Sequence, residues 1–214
     1  AATRAATMSS LLRSLCACCL LAGLSLSLSS RGADTPLPLA ERIARPDVLR
    51  GRFEQDRLVV GFRKPLRSSG HFVLARGRGV LWWTEQPFRS SLIVTATHLI
   101  AETDGDMRRI DAADEPALRA INTLLFDVLG GDIARLHSAF VIEASPTIGP
   151  HWQLRLTPKP GLFAQVFSRI ELQGERHVET VVLDERNGDR STIRFRDLAE
   201  APALSADEVV RLAQ

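Results

Sequence analysis

Residues 70–87 read GHFVLARGRGVLWWTEQP, two apolar runs on either side of Gly77-Arg78-Gly79. Short apolar runs joined by a glycine-rich turn predict a β-hairpin. Strand side chains alternate between faces, so Phe72, Leu74 and Arg76 share one face of the first arm, and Val80 and Trp82 share one face of the second. Trp83 has the opposite parity and is expected outside, beneath a helix. An apolar face with a single cation at its rim suits a hydrophobic cavity better than a catalytic centre.

Working outward, residues 51–62 alternate as a strand, with Phe53, Gln55, Arg57 and Val59 on one side, until Arg63-Lys64-Pro65 breaks the run. Before it, Leu39 and Ile43 stand at helical spacing and predict a short helix that Pro46 ends. After the hairpin come strand patterns at 91–96, 98–103 and 107–111, with Asp104-Gly105 as a favoured two-residue turn. Asp114-Glu115-Pro116 then opens a helix whose stripe is Leu118, Ile121, Leu125 and Val128 or Leu129. Gly130-Gly131 stops it, and Asp132 is expected to cap a second short helix holding Ile133 and Leu136.

Strand patterns resume at 140–144, 152–157, 165–172, 177–183 and 191–196, with Asn187-Gly188 the strongest hairpin signal. Ser205 followed by Glu208 has the form of a capping box before Val209, Val210 and Leu212. The tally is mainly β with helices, an α+β chain of about eleven short meandering strands.

With 214 residues, 45% apolar and 24% charged, the composition fits one globular domain. The N-terminus reads as an export signal over residues 1–33: a start at Met8, Arg13, an apolar run from Leu15 to Leu28, and small residues for cleavage. The run is too short for a convincing membrane span, which needs about 20 apolar residues. Its removal leaves a single domain, 34–214, with 24 basic against 25 acidic residues, and takes away all three cysteines, Cys16, Cys18 and Cys19. No redox or cysteine-ligated metal role is then expected. No basic patch interleaved with aromatics appears, so no nucleic-acid partner is expected.

Catalytic signals are missing as well. His71, His98, His137, His151 and His177 have no metal-ligand spacing, and Asp104-Gly105-Asp106 is too short for a calcium loop. Ser68-Ser69-Gly70 and Ser90-Ser91 lack the Gly-x-Ser-x-Gly context of a hydrolase, and there is no phosphate-binding loop. The expectation is no catalytic residue, metal or cofactor, and hence no enzyme.

Three segments together, Phe53-Glu54-Gln55, the 70–87 hairpin ending in Gln86-Pro87, and Leu156-Thr157-Pro158-Lys159, resemble the periplasmic outer-membrane lipoprotein carrier family, LolA. The resemblance runs over residues 39–198. It implies a strongly curved, unclosed antiparallel barrel covered by short lid helices, whose apolar interior receives lipoprotein acyl chains. It also implies a lid latch at Arg76, a lipid-binding cavity at Phe72, Leu74, Val80 and Trp82, and a lid stripe at Leu118, Ile121 and Leu125. The implied partners are an acylated lipoprotein or other lipid cargo, an inner-membrane donor complex and an outer-membrane acceptor, served by a monomer in the periplasm.

Two positions depart from the family pattern. Gly77 stands where a proline usually follows the arginine, and Thr95-Ala96-Thr97 stands where Asp-Gly is common, so the chain reads as a divergent member. By pattern alone, Arg76 also fits an exposed hairpin-end arginine, Val80 and Trp82 an ordinary core, and the helical stripe any helix on any sheet. Two further functions share the export signal. One is an envelope scaffold or assembly factor without lipid transport. The other is an acceptor-type lipoprotein of the same fold, which requires acylation near Cys18; Leu15-Cys16-Ala17-Cys18 faintly has the form of a lipoprotein box, with too short an apolar run before it.

Overall fold

The computed structural model describes residues 39–111, 116–145 and 149–214; the expected signal region and its cysteines lie outside them. The first element is α1 (Leu39–Arg42), a single turn that stops before Pro46. Six strands follow as consecutive hairpins: β1 (Val48–Leu58), β2 (Leu66–Ala75), β3 (Gly79–Gln86), β4 (Ser90–Val94), β5 (His98–Thr103) and β6 (Asp106–Asp111). The chain then turns helical in α2 (Pro116–Leu129) and α3 (Ile133–Leu136). Five more strands complete the sheet: β7 (Phe140–Ser145), β8 (Trp152–Pro158), β9 (Phe167–Gly174), β10 (Val178–Glu185) and β11 (Arg190–Ala201). A short α4 (Leu162–Val166) precedes β9, and α5 (Ala206–Leu212) ends the chain.

All eleven strands belong to one antiparallel sheet in the order β6-β5-β4-β3-β2-β1-β11-β10-β9-β8-β7. The pairing of β1 with β11, from Val48↔Ala201 to Leu58↔Arg190, joins the two meanders at the centre. β6 and β7 remain as unpaired edges, and α2 and α3 connect them, so the barrel is unclosed. The curl shows in the packing: Val80 and Val94, from β3 and β4, share one buried cluster with Phe140 and Leu156, from β7 and β8. Strands that far apart in a sheet meet only if it wraps around that face.

The bend has a local cause in the central strands. The β1–β11 register shifts between Arg50 and Arg52, where Asp197 takes a positive φ of 52°. Such a bulge increases local twist and bends the strand. Gly51 lies inside this irregularity, and a Cβ there would come within 2.7 Å of the Leu198 side chain and 2.9 Å of Phe72. The close approach therefore requires glycine.

Two local expectations differ from the structure. Asp132 makes no side-chain cap on α3; its carboxylate pairs with Arg45 instead. A salt bridge to a neighbouring segment outcompetes the bond to a four-residue helix, which has little to gain from a cap. Residues 165–166, expected to begin a strand, belong to α4, whose Phe163 and Val166 pack against the interior cluster.

Candidate functional site

The interior wall is aromatic at its centre. Phe53 of β1 stacks on Trp82 of β3 with centroids 3.9 Å apart, and Phe72 of β2 lies 5.9 Å from the same indole. Phe195 of β11 closes the group edge-on, 5.2 Å from Phe72 and 6.2 Å from Trp82. Register explains the convergence: Phe72 pairs with Trp82, Phe53 pairs with Phe195, and Phe53 faces Gly70 across β2. A Cβ on Gly70 would lie 1.8 Å from the Trp83 carbonyl and 2.9 Å from the Phe53 ring, so the Phe53–Trp82 stack depends on that bare backbone.

Phe72, Leu74 and Val80 are buried in this interior, and Trp82 is half-buried against it. The hairpin thus brings all four predicted cavity residues to one face. Trp83 points the other way, into a second cluster with Leu81, Val73, Ala75 and the α5 residue Leu212, where the Arg211 guanidinium lies 5.9 Å from its ring. Phe53 and Phe195 complete this aromatic group and were not among the predicted cavity residues. Phe53 showed in its strand's alternation, but nothing in the sequence says that β11 places Phe195 beside it.

Helix α2 covers the interior face. Leu124, Val128 and Leu129 are buried in the interior cluster and Leu125 packs against it; the side chains of Leu118 and Ile121 lie outside the described residues. A buried bond ties the helix to the sheet: Asn122 Nδ2 donates to the Thr95 carbonyl at 3.1 Å. That carbonyl belongs to the β4–β5 turn. Thr95 Oγ1 accepts from the His98 backbone N–H at 3.1 Å, and both Thr95 and Thr97 hydroxyls lie about the His98 Nδ1, at 3.1 and 3.0 Å. His98 Nε2 is buried without a hydrogen-bond partner among the described residues. Burial, then the charge of Arg109, pushes the His98 pKa down, while Asp111 pulls it up by less.

Arg76 stands at the rim. Its Nε donates to the Pro46 carbonyl at 3.1 Å and lies 3.9 Å from the Asp47 carboxylate. Among the described residues, the carbonyl it engages belongs to the α1–β1 connection and not to α2. Arg76 nevertheless lines a cavity of about 230 Å³ together with Leu74 and Phe126, at the junction of hairpin and helix. Asp127 of α2 also lines it; burial pushes its pKa up, and Arg135, 3.4 Å away, partly offsets that. A cavity of this size falls below the roughly 300–1,000 Å³ typical of small-molecule sites. In this conformation the protein's own side chains pack together in the interior.

No group of histidine, cysteine or acidic residues suited to a metal occurs among the described residues. Among the described residues the arrangement offers an apolar wall with a helix packed on it.

Over residues 46–208 the chain matches the family described as "Outer membrane lipoprotein carrier protein LolA". Among solved structures, a LolA superfamily protein from Nitrosomonas europaea is similar at 9% identity and a TM-score of 0.44, covering 80% of this chain and 93% of its own. A DUF1329 family protein from Desulfovibrio piger is similar at 12% identity and a TM-score of 0.45, covering 78% and 90%. No curated protein matches the chain.

Proposed function

The chain belongs to the outer membrane lipoprotein carrier family LolA, and from that premise we propose a periplasmic carrier that shields the acyl chains of lipoproteins or related lipids between the inner and outer membranes. One observation supports this most. The apolar interior of an eleven-stranded sheet is covered by a helix and not sealed by strand pairing, since β6 and β7 never meet.

The energetics favour a cover of that kind. Burying a methylene gains about 0.8 kcal/mol, so one acyl chain represents on the order of 10 kcal/mol. A carrier without an energy source must not trap that much. Here the lipid competes with Leu124, Leu125, Val128 and Leu129 for the same wall, and each displaced side chain offsets about 1.5–3 kcal/mol of the gain when fully exposed. Loading then falls to an inner-membrane donor complex, and unloading to an acceptor that holds the lipid more tightly. In this reading Arg76, held by Pro46 at the rim of the cavity that Phe126 and Asp127 of α2 also line, favours the closed empty form, while cargo favours the open one.

Gentle purification followed by mass spectrometry tests the reading, with copurifying acylated species as the expected result and an empty protein that takes up no lipid as the refuting one. Trp82→Glu is the preferred cavity variant, because Val80 is wholly buried and a charge there would unfold the protein. It is expected to abolish uptake while retaining the sheet. Arg76→Leu is expected to weaken closure and slow cargo cycling; normal delivery would remove the latch role.

A further inference from the structure

At the end of the barrel away from Arg76, the β1–β2 hairpin projects past β3, while on its other side β1 stays paired with β11 as far as Leu58↔Arg190. The hairpin's pairing reaches Arg57↔Leu66, whereas β2 pairs with β3 only as far as Ser69↔Gln86. The three extra β2 residues extend about 10 Å at a strand's usual rise. The projecting tip carries apolar side chains into solvent: Val60 is 64% exposed and Phe62 59%, with Leu58 and Leu66 also exposed. Phe88, 76% exposed, sits on the β3–β4 turn at the same end.

This exposure is held in place. Asp189 is buried in the neighbouring β10–β11 turn, where its carboxylate accepts from the Val60 backbone N–H at 3.0 Å and pairs with Arg57 at 3.2 Å. Both bonds brace the base of the tip and leave Phe62 outside.

The charges around it are one-sided. Arg63 and Lys64 directly follow Phe62, and Arg89 follows Phe88; among the described residues none of the three forms an ion pair with an acid. Of the acids near the base, Asp56 is engaged by Arg67 and Arg194, and Glu185 and Asp189 by Arg57, while Glu54, further down β1, is exposed. Arg89 shares a surface cavity with Glu85, Glu102 and Asp104, so the cationic excess at the tip rests on Arg63 and Lys64.

We propose that the β1–β2 tip is a docking surface for an anionic lipid bilayer, with Val60 and Phe62 entering the acyl boundary and Arg63 and Lys64 meeting headgroup phosphates. Apolar insertion flanked by cations is the chemistry by which proteins lie on such surfaces. A few side chains on a tip fall well short of the roughly 20 residues a side of a stable protein interface. Docking would present to the membrane the barrel end at which α4 leads into β9.

The full chain is sedimented with vesicles of phosphatidylcholine alone or mixed with phosphatidylglycerol, and compared with V60S/F62S and R63Q/K64Q. The N-terminal apolar run is common to all three, so differences report the tip. V60S/F62S is expected to lose most of the tip-dependent partition on mixed vesicles. R63Q/K64Q is expected to lose roughly 25-fold there and little on phosphatidylcholine alone. Equal sedimentation of all three proteins overturns the proposal, as does a tip variant that changes oligomeric state while vesicle binding stays constant. Unchanged melting curves establish that the variants fold, as their exposure implies. Lipid loading by the tip variants is expected to match the unmodified chain, which keeps this test separate from that of the carrier reading.

Discussion

The two faces of the β2–β3 hairpin are built from alternate residues of one stretch, yet their covers are tied down differently. On the outer face, α5 lies over Val73, Ala75, Leu81 and Trp83. A complete capping box between Ser205 and Glu208 starts this helix, and a two-pronged pair from Arg50 to Glu208, at 2.9 and 2.5 Å, clamps it to β1. On the inner face, α2 packs into the cluster that holds Phe72, Leu74, Val80 and Trp82, and a neutral bond from Asn122 links it to the β4–β5 turn. Charge-assisted bidentate bonds are roughly twice as strong as neutral ones. The outer helix is thus held by a charge-assisted clamp, whereas the bond from Asn122 to the inner one is neutral.

The comparison breaks most visibly at the wall itself. Phe53→Ala removes the ring stacked on Trp82 and is expected to cost about 3–5 kcal/mol in urea unfolding, because a buried aromatic leaves a cavity. A cost below that of a surface substitution would mean that the interior readily collapses around the gap.

A finer contrast comes from one bond on each side. Asn122→Ala leaves the buried Thr95 carbonyl without its side-chain donor, at a cost of about 1–3 kcal/mol. Its signature should be faster hydrogen exchange confined to α2. Glu208→Gln, which weakens the cap and the Arg50 pair, is expected to cost about 1 kcal/mol and to speed exchange in α5 alone. Equal loosening of both helices by either variant would erase the distinction drawn between them.

The smallest effect is with pH, and the two covers respond in different windows. The hydrogen bond from Arg50 is the main cause holding the Glu208 pKa below its ordinary 4.5, so its contribution is present above that value and lost as pH falls through the lowered pKa. His98 behaves otherwise. Burial lowers its pKa from 6.5, so below 6.5 the unfolded chain binds the proton more readily and stability declines with acidification. Mild acid should therefore loosen the β4–β5 turn and the α2 attachment while α5 stays clamped. His98→Gln should flatten that part of the stability profile, and a profile it leaves unchanged would assign the decline to another group.

Much of this was readable from local pattern. The Trp82 and Trp83 parity sorted the hairpin's faces, Asp104-Gly105 and Asn187-Gly188 marked turns between strands, and Ser205 with Glu208 marked the last helix. These signals depend on residues within a few positions of one another, where backbone sterics and side-chain period act directly. The Arg76 bond to Pro46, the Asp132 pair with Arg45 and the Asn122 bond to Thr95 were not readable, since each joins segments that come together only in the fold.

By itself the sequence determined the number of strands, their alternation and the helical break between them, because those follow from periodicities of two and three to four residues. Only the tertiary structure decided which strands meet and what each face is covered by. The pairing of Phe53 with Phe195 spans most of the chain, and no local period encodes it. It arises because β1 and β11 find each other at the centre of the sheet, curl it around the aromatic group, and leave β6 and β7 apart with a helix to cover the gap.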